Sequence, residues 1–380
     1  MSKLSYWEKM SLAAATEVMI IGAGITGLQC AIRLKELQPT IDLIVVDQNP
    51  FPSGASTRNA GFACIGSMTE LIDDLTHLPE KTVWDVVAKR WTGLQKLKDM
   101  LGEQVLDFRT SGGYELFMEQ DDQAYTQCLD QIDYFNQYMR DITGESQVFT
   151  VRDKYRSDYG FAGVSHIIEN KVEGQLNPGK MMMALLGRAQ SLGIRTMFGC
   201  RITGWEREAQ QWNVYTDYGW NIRTRILALA TNGFTRRLLP ELEVKPARNQ
   251  VLVSRQVDGL SWEGTFHYDR GYVYFRNIDG RLLIGGARHI AFEEEETDEY
   301  GENPVIIHYL KSLSEKHLFP GKKLEWEYSW SGILGTGSKH PIMEWIEPDL
   351  LVAVRLGGMG VAIGTQLGWD SAGLILERLS

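Results

Sequence analysis

The chain has 380 residues, 43% hydrophobic and 23% charged, the balance of a folded globular protein long enough for two domains. Its 49 acidic and 39 basic residues leave a formal charge of -10, which disfavours nucleic acid and anionic membranes as partners. Cys30, Cys64, Cys128 and Cys200 lie far apart with no CxxC pair and no histidine cluster, so they read as reduced thiols of a cytoplasmic protein, with no disulfide framework and no metal site.

The N-terminal segment carries Glu8, Lys9 and Glu17 around the small patch Ala13–Ala15, which is not the pattern of a secretory signal. No apolar run approaches the ~20 residues a membrane-spanning helix needs. Val18–Ile21 reads as a short buried strand ending in glycines, and Ile25–Gln38 as a helix with Gly24, Leu28, Ala31 and Ile32 on one face, stopped by Pro39. Ile41–Val46 is apolar without alternation, the mark of a strand covered on both faces. Together these segments predict a βαβ unit.

Trp84, Val87, Trp91 and Leu94 fall on one helical face; Tyr114–Met118 reads as a strand and Asp121–Tyr138 as a further helix. Gly179–Leu192 predicts a helix after Pro178, followed by strands at Arg195–Phe198, Trp212–Thr216 and Ile222–Ala230. Val251–Ser254, Tyr272–Arg276 and Leu282–Ile284 predict an antiparallel sheet with Asp279-Gly280 as a hairpin turn. Phe292–Tyr300, with four consecutive glutamates, is expected to be a solvated loop. The chain closes with a strand, Leu350–Val354, a glycine turn and a terminal helix.

The expected class is therefore α/β. A Rossmann-like domain is assembled from residues 1–75, 165–240 and 325–380. It is interleaved with an α+β substrate domain, residues 76–164 and 241–324, containing a mainly antiparallel sheet.

Gly22-Ala23-Gly24-Ile25-Thr26-Gly27 is GxGxxG between a strand and a helix. Gly22 permits the tight turn, Gly24 lets backbone approach a pyrophosphate, Gly27 lets helix pack on strand, and the helix start offers free N–H groups to phosphate. Asp47, followed by Gln48, ends the second strand where a ribose acceptor is needed. Gly54-Ala55-Ser56-Thr57-Arg58-Asn59-Ala60-Gly61-Phe62 is small and polar, then apolar. It suits either a phosphate-gripping loop that passes a flat ring or an ordinary loop with a helix cap at Ser56 or Thr57. Ala230-Thr231-Asn232-Gly233 offers a second close backbone approach, or a plain turn. Gly357-Gly358-Met359-Gly360 opens the last helix, whose N-terminus can stabilise negative charge.

These segments in this order resemble the D-amino-acid oxidase superfamily of flavoproteins, which includes glycine oxidase, sarcosine oxidase and gamma-glutamylputrescine oxidase. The resemblance covers most of the chain, and Ser5-Tyr6-Trp7-Glu8 with the loop 54–61 is most similar to the gamma-glutamylputrescine oxidase branch. It implies FAD-dependent oxidation of an amine or amino acid: hydride leaves the carbon beside nitrogen for flavin N5, and the imine hydrolyses. It implies that Gly22, Gly24, Ile25, Thr26, Gly27, Asp47 and Gln48 hold the ADP half, and that Arg201 and Ile202 offer backbone to adenine. Ser56 and Thr57 would touch the pyrophosphate. Arg58, Asn59, Ala60 and Gly61, with Ala230, Thr231 and Gly233, would pass the ring. Gly358, Met359, Gly360 and Val361 would cap its pyrimidine edge, with Phe62 facing the substrate.

The chain also departs from its relatives. Ile333-Leu334 and Gly357-Gly358-Met359 stand where glycine oxidase has substrate-carboxylate arginines, which leaves Arg276, Arg288 or Arg355 as replacements and Tyr274 as a pocket wall. Leu282-Leu283-Ile284 holds no lysine where sarcosine oxidases place one for oxygen, so a dehydrogenase that passes electrons to a quinone or carrier is an alternative to an oxidase. A flavin-binding subunit without turnover is another. Ser329–Gly337 holds no cysteine, so FAD is expected to be non-covalent.

Overall fold

The computed structural model describes residues 4–338 and 340–380. Two eight-stranded sheets organise these residues. In the first, Thr16–Ile21 pairs in parallel with Leu43–Val46 on one side and Asn221–Leu229 on the other. Arg195–Met197 extends the parallel set beyond Leu43–Val46, and Leu350–Val354 extends it beyond Asn221–Leu229. All four residues of Leu43–Val46 are buried, as an apolar strand covered on both faces must be. Helices Ile25–Leu37, Glu80–Leu101 and Gly360–Leu379 pack together, and all three contribute buried residues to one large hydrophobic core.

The second sheet runs Trp326–Thr336, Lys245–Gln256, Arg281–Gly286, Val273–Ile278, Thr265–Tyr268, Gly113–Met118, Val164–Asn170 and Phe149–Val151. It is antiparallel except between Thr265–Tyr268 and Gly113–Met118. One face buries aromatic rings, with Phe266 and Phe275 stacked at 4.9 Å. Asp279 and Gly280, at φ 51° and 75°, make the two-residue hairpin.

Three expectations change. Lys245–Gln256 is twelve residues long where the apolar run predicts only Val251–Ser254, because Trp326–Thr336 pairs along Lys245–Gln250, joined by Arg281–Gly286 from Gln250 onward, a partnership that the polar side chains do not advertise. Val164–Asn170 and Trp326–Thr336 pair within the second sheet. We therefore propose, in place of boundaries at 165 and 325, a division by sheet membership that moves both strands to the substrate side. The glutamate run is solvated only in part: Glu293, Glu294 and Glu296 are exposed, but Phe292–Glu295 is a helical turn that buries Glu295 against Arg248 at 2.8 Å. Gln250 and Asn303 also donate to that carboxylate.

Removing one partner of a buried pair strands the other charge. Glu295→Ala should lower unfolding stability by about 3–5 kcal/mol, read by denaturant titration, whereas Asp85→Ala at the exposed Lys81–Asp85 pair should cost under about 1 kcal/mol.

Candidate cofactor and active site

At the carboxyl ends of the parallel strands an elongated cavity of about 370 Å³ runs from Asp47 and Arg201 past Gly22 and Ser56 to Gly358. The glycine turn forms its waist. Gly22 has φ 108°, and a Cβ there would lie 2.6 Å from the Ala230 carbonyl oxygen, so any side chain would push apart the two strand ends that frame the cavity. Helix Ile25–Leu37 starts at Gly24 without a side-chain cap of its own; instead Ser56 Oγ, reaching across from the following loop, accepts from Ile25 N–H at 3.0 Å. Ser56 is therefore no cap for its own short helix, Ala55–Arg58, which begins at Gly54.

Asp47 stands at the mouth of the same turn. Its carboxylate accepts from Ala23 N–H and Asn49 N–H, each at 2.9 Å. Burial raises its pKa against the pull of these donors. Each oxygen keeps a further lone pair for a ligand hydroxyl. Asn232, whose side chain has no role predicted from sequence, ties two parts of the far wall together: its Oδ1 accepts from both Arg355 N–H and Leu356 N–H. Helix Gly360–Leu379 begins at this wall, with Gly358, Gly360 and Val361 facing the cavity.

The profile of the family described as FAD dependent oxidoreductase matches residues 17–374. The chain belongs to this family of FAD-dependent oxidoreductases. No curated protein matches it in sequence. Solved structures share its fold at low identity. Glycine oxidase from Bacillus cereus ATCC 14579 is 18% identical with a TM-score of 0.74, covering 96% of this chain and 95% of that one. L-proline dehydrogenase from P. horikoshii is 16% identical at 0.75, covering 96% and 94%. Iminodiacetate oxidase from Chelativorans sp. BNC1 is 17% identical at 0.76, covering 95% of each.

The oxidoreductase cavity fits FAD on its own chemistry: backbone without side chains at the waist, a helix start whose N-cap is the glycine Gly24, a carboxylate at one end and a second helix start at the other. FAD, when bound, supplies the acceptor for two electrons and a hydrogen. Of the residues expected to hold it, Gly22, Gly24, Ile25, Thr26, Asp47, Gln48, Ser56, Asn59, Arg201, Ile202, Ala230, Thr231, Gly233, Gly358, Gly360 and Val361 line the cavity. Gly27, Thr57, Arg58, Ala60, Gly61 and Met359 do not. Gly27 packs helix on turn, a Cβ there falling 1.9 Å from the Gly22 carbonyl oxygen. Thr57 donates to the Pro52 carbonyl at 2.6 Å instead of reaching a phosphate. Arg58 donates to the Ser53 and Ser331 carbonyls and lies over the Tyr300 ring, contacts that brace the loop.

The candidate substrate residues separate. Phe62 meets Tyr274 edge-on at 5.5 Å and His267 at 5.3 Å, forming an aromatic wall. Burial keeps the Tyr274 hydroxyl well above its usual pKa, so it stays protonated. Arg355 is spent on the His340 and Glu243 carbonyls, and Arg288 lies over the rings of Tyr272 and Phe292; neither lines the cavity. Arg276 lines a second cavity, on the other side of the loop.

Behind Phe62 the fold assembles Cys64, Glu173 and His267, which no sequence spacing links. Their ligand atoms lie within 4.8 Å of one another, close enough to share a metal ion, although the sequence predicts no metal site. His267 Nε2 is 3.3 Å from Cys64 Sγ, and Glu173 Oε1 accepts from Ile65 and Gly66 N–H. Burial pulls His267 down to about 4, pushes Glu173 up to about 7 and raises the Cys64 thiol well above its usual value.

Two outcomes follow from this geometry. Gly22→Ala should purify with FAD affinity reduced by about 100-fold, as the roughly 3 kcal/mol that such backbone strain costs implies; unchanged flavin content would contradict the waist. Glu173 binds its proton more tightly in the folded state, so it costs stability as pH rises from about 4.5 to 7. Across that window the stability of Glu173→Gln relative to wild type should rise by up to about 3 kcal/mol, and a flat difference would contradict the burial.

Proposed function

We propose that the chain oxidises a small amine or amino acid at the carbon next to nitrogen. The substrate loses a hydride to FAD, and the resulting imine takes up water to give a carbonyl compound and the released amine. The observation that carries this reading is the aromatic wall of Phe62 and Tyr274 directly after the loop 56–61, the loop whose Ser56 and Asn59 line a cavity suited to a flavin dinucleotide. The names of the structural neighbours, which act on glycine, proline and iminodiacetate, support it.

The chain positions and shields; it does not supply a strong base. His267, at about 4, is a neutral ring locked behind Phe62, and Tyr274 holds its proton. The substrate nitrogen therefore has to arrive neutral, and the aromatic wall excludes water from the carbon that reacts. The N-terminus of Gly360–Leu379 offers a positive dipole end where negative charge gathers on reduction.

Leu282, Leu283 and Ile284 are buried and apolar, which favours an acceptor other than oxygen as the second reading. Cys200 is the cysteine that lines the cavity, beside Arg201, and burial pushes its thiol up to about 12, which supports dissociable FAD. Four free, buried cysteines support a cytoplasmic location. No helix among the described residues is long and apolar enough to cross a membrane.

Primary amines, N-methyl amines and D-amino acids, mixed anaerobically with the FAD-loaded chain, should include one that bleaches the visible flavin band; if none does, amine oxidation is the wrong reaction. Acid precipitation should release all the flavin into the supernatant. Reoxidation faster with a quinone than with air would select the dehydrogenase.

A further inference from the structure

We infer that the second cavity, on the far side of the loop Thr57–Gly61 from the cofactor cavity, binds a small molecule bearing a carboxylate, with Arg276 as its anchor. The site stands independently of the oxidation chemistry. It encloses about 390 Å³, and Asn59, Ala60, Gln175, Arg276, Asp279 and Trp330 are among its walls. Asn59 also lines the cofactor cavity, so the two spaces share a partition.

Arg276 is only 7% exposed, yet no carboxylate among the described residues lies within ion-pair distance of it. Its Nη2 donates to the Leu176 carbonyl at 3.2 Å, and its Nε donates to nothing. Burial lowers its pKa to about 10, which still leaves it a cation at neutral pH. What sets Arg276 apart from the other buried arginines is the lack of a nearby carboxylate and the single carbonyl it reaches: Arg90, whose Nε is also without a partner, pairs with Glu70 and donates to the Ile65 carbonyl, and Arg355 donates to two backbone carbonyls. A buried, unpaired guanidinium is costly to keep and matches a carboxylate in shape and charge.

Two of the three acids at this cavity are engaged elsewhere, and Asp279, the third, is not within ion-pair distance of Arg276. Asp107 pairs with Lys180 at 3.2 Å and with Arg109 at 3.7 Å, and Glu263 faces Arg109 at 3.9 Å. A second orphan narrows the ligand: Gln175 Oε1, buried in the same wall, accepts no hydrogen bond. A donor N–H next to the carboxylate would satisfy it, and Asp279 on the same lining favours a positive charge there. The chemistry called for is thus that of an amino acid zwitterion more than of a bare anion.

The cofactor loop would sense this ligand. Gly61 packs so closely on Arg276 that a Cβ there would fall 2.7 Å from Nη2 and 2.3 Å from the Leu176 carbonyl oxygen. A ligand that moves the guanidinium therefore perturbs the loop that borders the flavin.

The test is a titration of the FAD-loaded full chain with acetate, 2-aminoisobutyrate and methylammonium, followed by calorimetry and by the flavin difference spectrum. Neither carboxylate can report through turnover, because acetate has no nitrogen and 2-aminoisobutyrate has no hydrogen on the carbon beside its nitrogen; methylammonium, which keeps such hydrogens, is titrated anaerobically so that any flavin bleaching is told apart from binding. Acetate and 2-aminoisobutyrate should bind saturably, the latter more tightly, and methylammonium should not. Arg276→Gln should weaken both by about thirtyfold or more while keeping its FAD. Gln175→Leu should erase the advantage of 2-aminoisobutyrate over acetate. Arg276→Lys, which keeps the charge but loses the fork, should bind at an intermediate level and covers the case in which the neutral variant does not fold. Absence of saturable binding to wild type, or equal binding by wild type and both Arg276 variants, overturns the site. Competition with an amine that reduces the flavin assigns the pocket to the acid end of the substrate; additive binding assigns it to a separate effector. Carboxylate binding without flavin reduction by any amine would remove the oxidase reading and leave this one intact.

Discussion

Gly22 and Ala230 come within a side chain's width of each other at the ends of two paired parallel strands, and the rest of the cofactor cavity is arranged around that approach. A diphosphate carries charge that water solvates well, so a protein holds it by replacing that water with backbone N–H groups, and backbone reaches it only where no Cβ intervenes. Helix Ile25–Leu37 brings its uncapped start to this point. The loop that follows Leu43–Val46 returns Ser56 to the same N–H groups.

The waist in turn dictates what the second sheet must do. Trp330 donates to the Arg58 carbonyl, and Arg58 donates to the Ser331 carbonyl, so strand Trp326–Thr336 clamps the loop from outside the Rossmann-like unit. On the opposite flank, Arg276 of the same sheet presses on Gly61. The cofactor loop is thus held on two flanks by separate strands of the second sheet. That arrangement couples whatever binds on the sheet side to the environment of the flavin without a long relay.

Electrostatics follows the same division. The cofactor side offers dipoles and N–H groups, whereas the sheet side buries full charges: Arg248 paired with Glu295, and Arg276 left without a carboxylate partner among the described residues. Behind Phe62, burial keeps Cys64 and His267 in their neutral forms and lifts Glu173 toward neutrality. This preserves an apolar backing for the aromatic wall where three titratable groups would otherwise bring water.

The amino-acid sequence alone determined the βαβ start, the glycine turn, Asp47 at the strand end and the helix opening at Gly360, because each is a local pattern of backbone freedom or burial written in neighbouring residues. It also carried the hairpin at Asp279-Gly280, whose left-handed turn needs those residue types. Tertiary structure decided what depends on partners remote in sequence. It spent Arg58 and Arg355 on carbonyls, left Arg276 unpaired, buried Glu295 from a run that looked solvated, and gathered positions 64, 173 and 267 into one cluster. A side chain's charge is legible in sequence; whether that charge is already satisfied is a property of the groups packed around it.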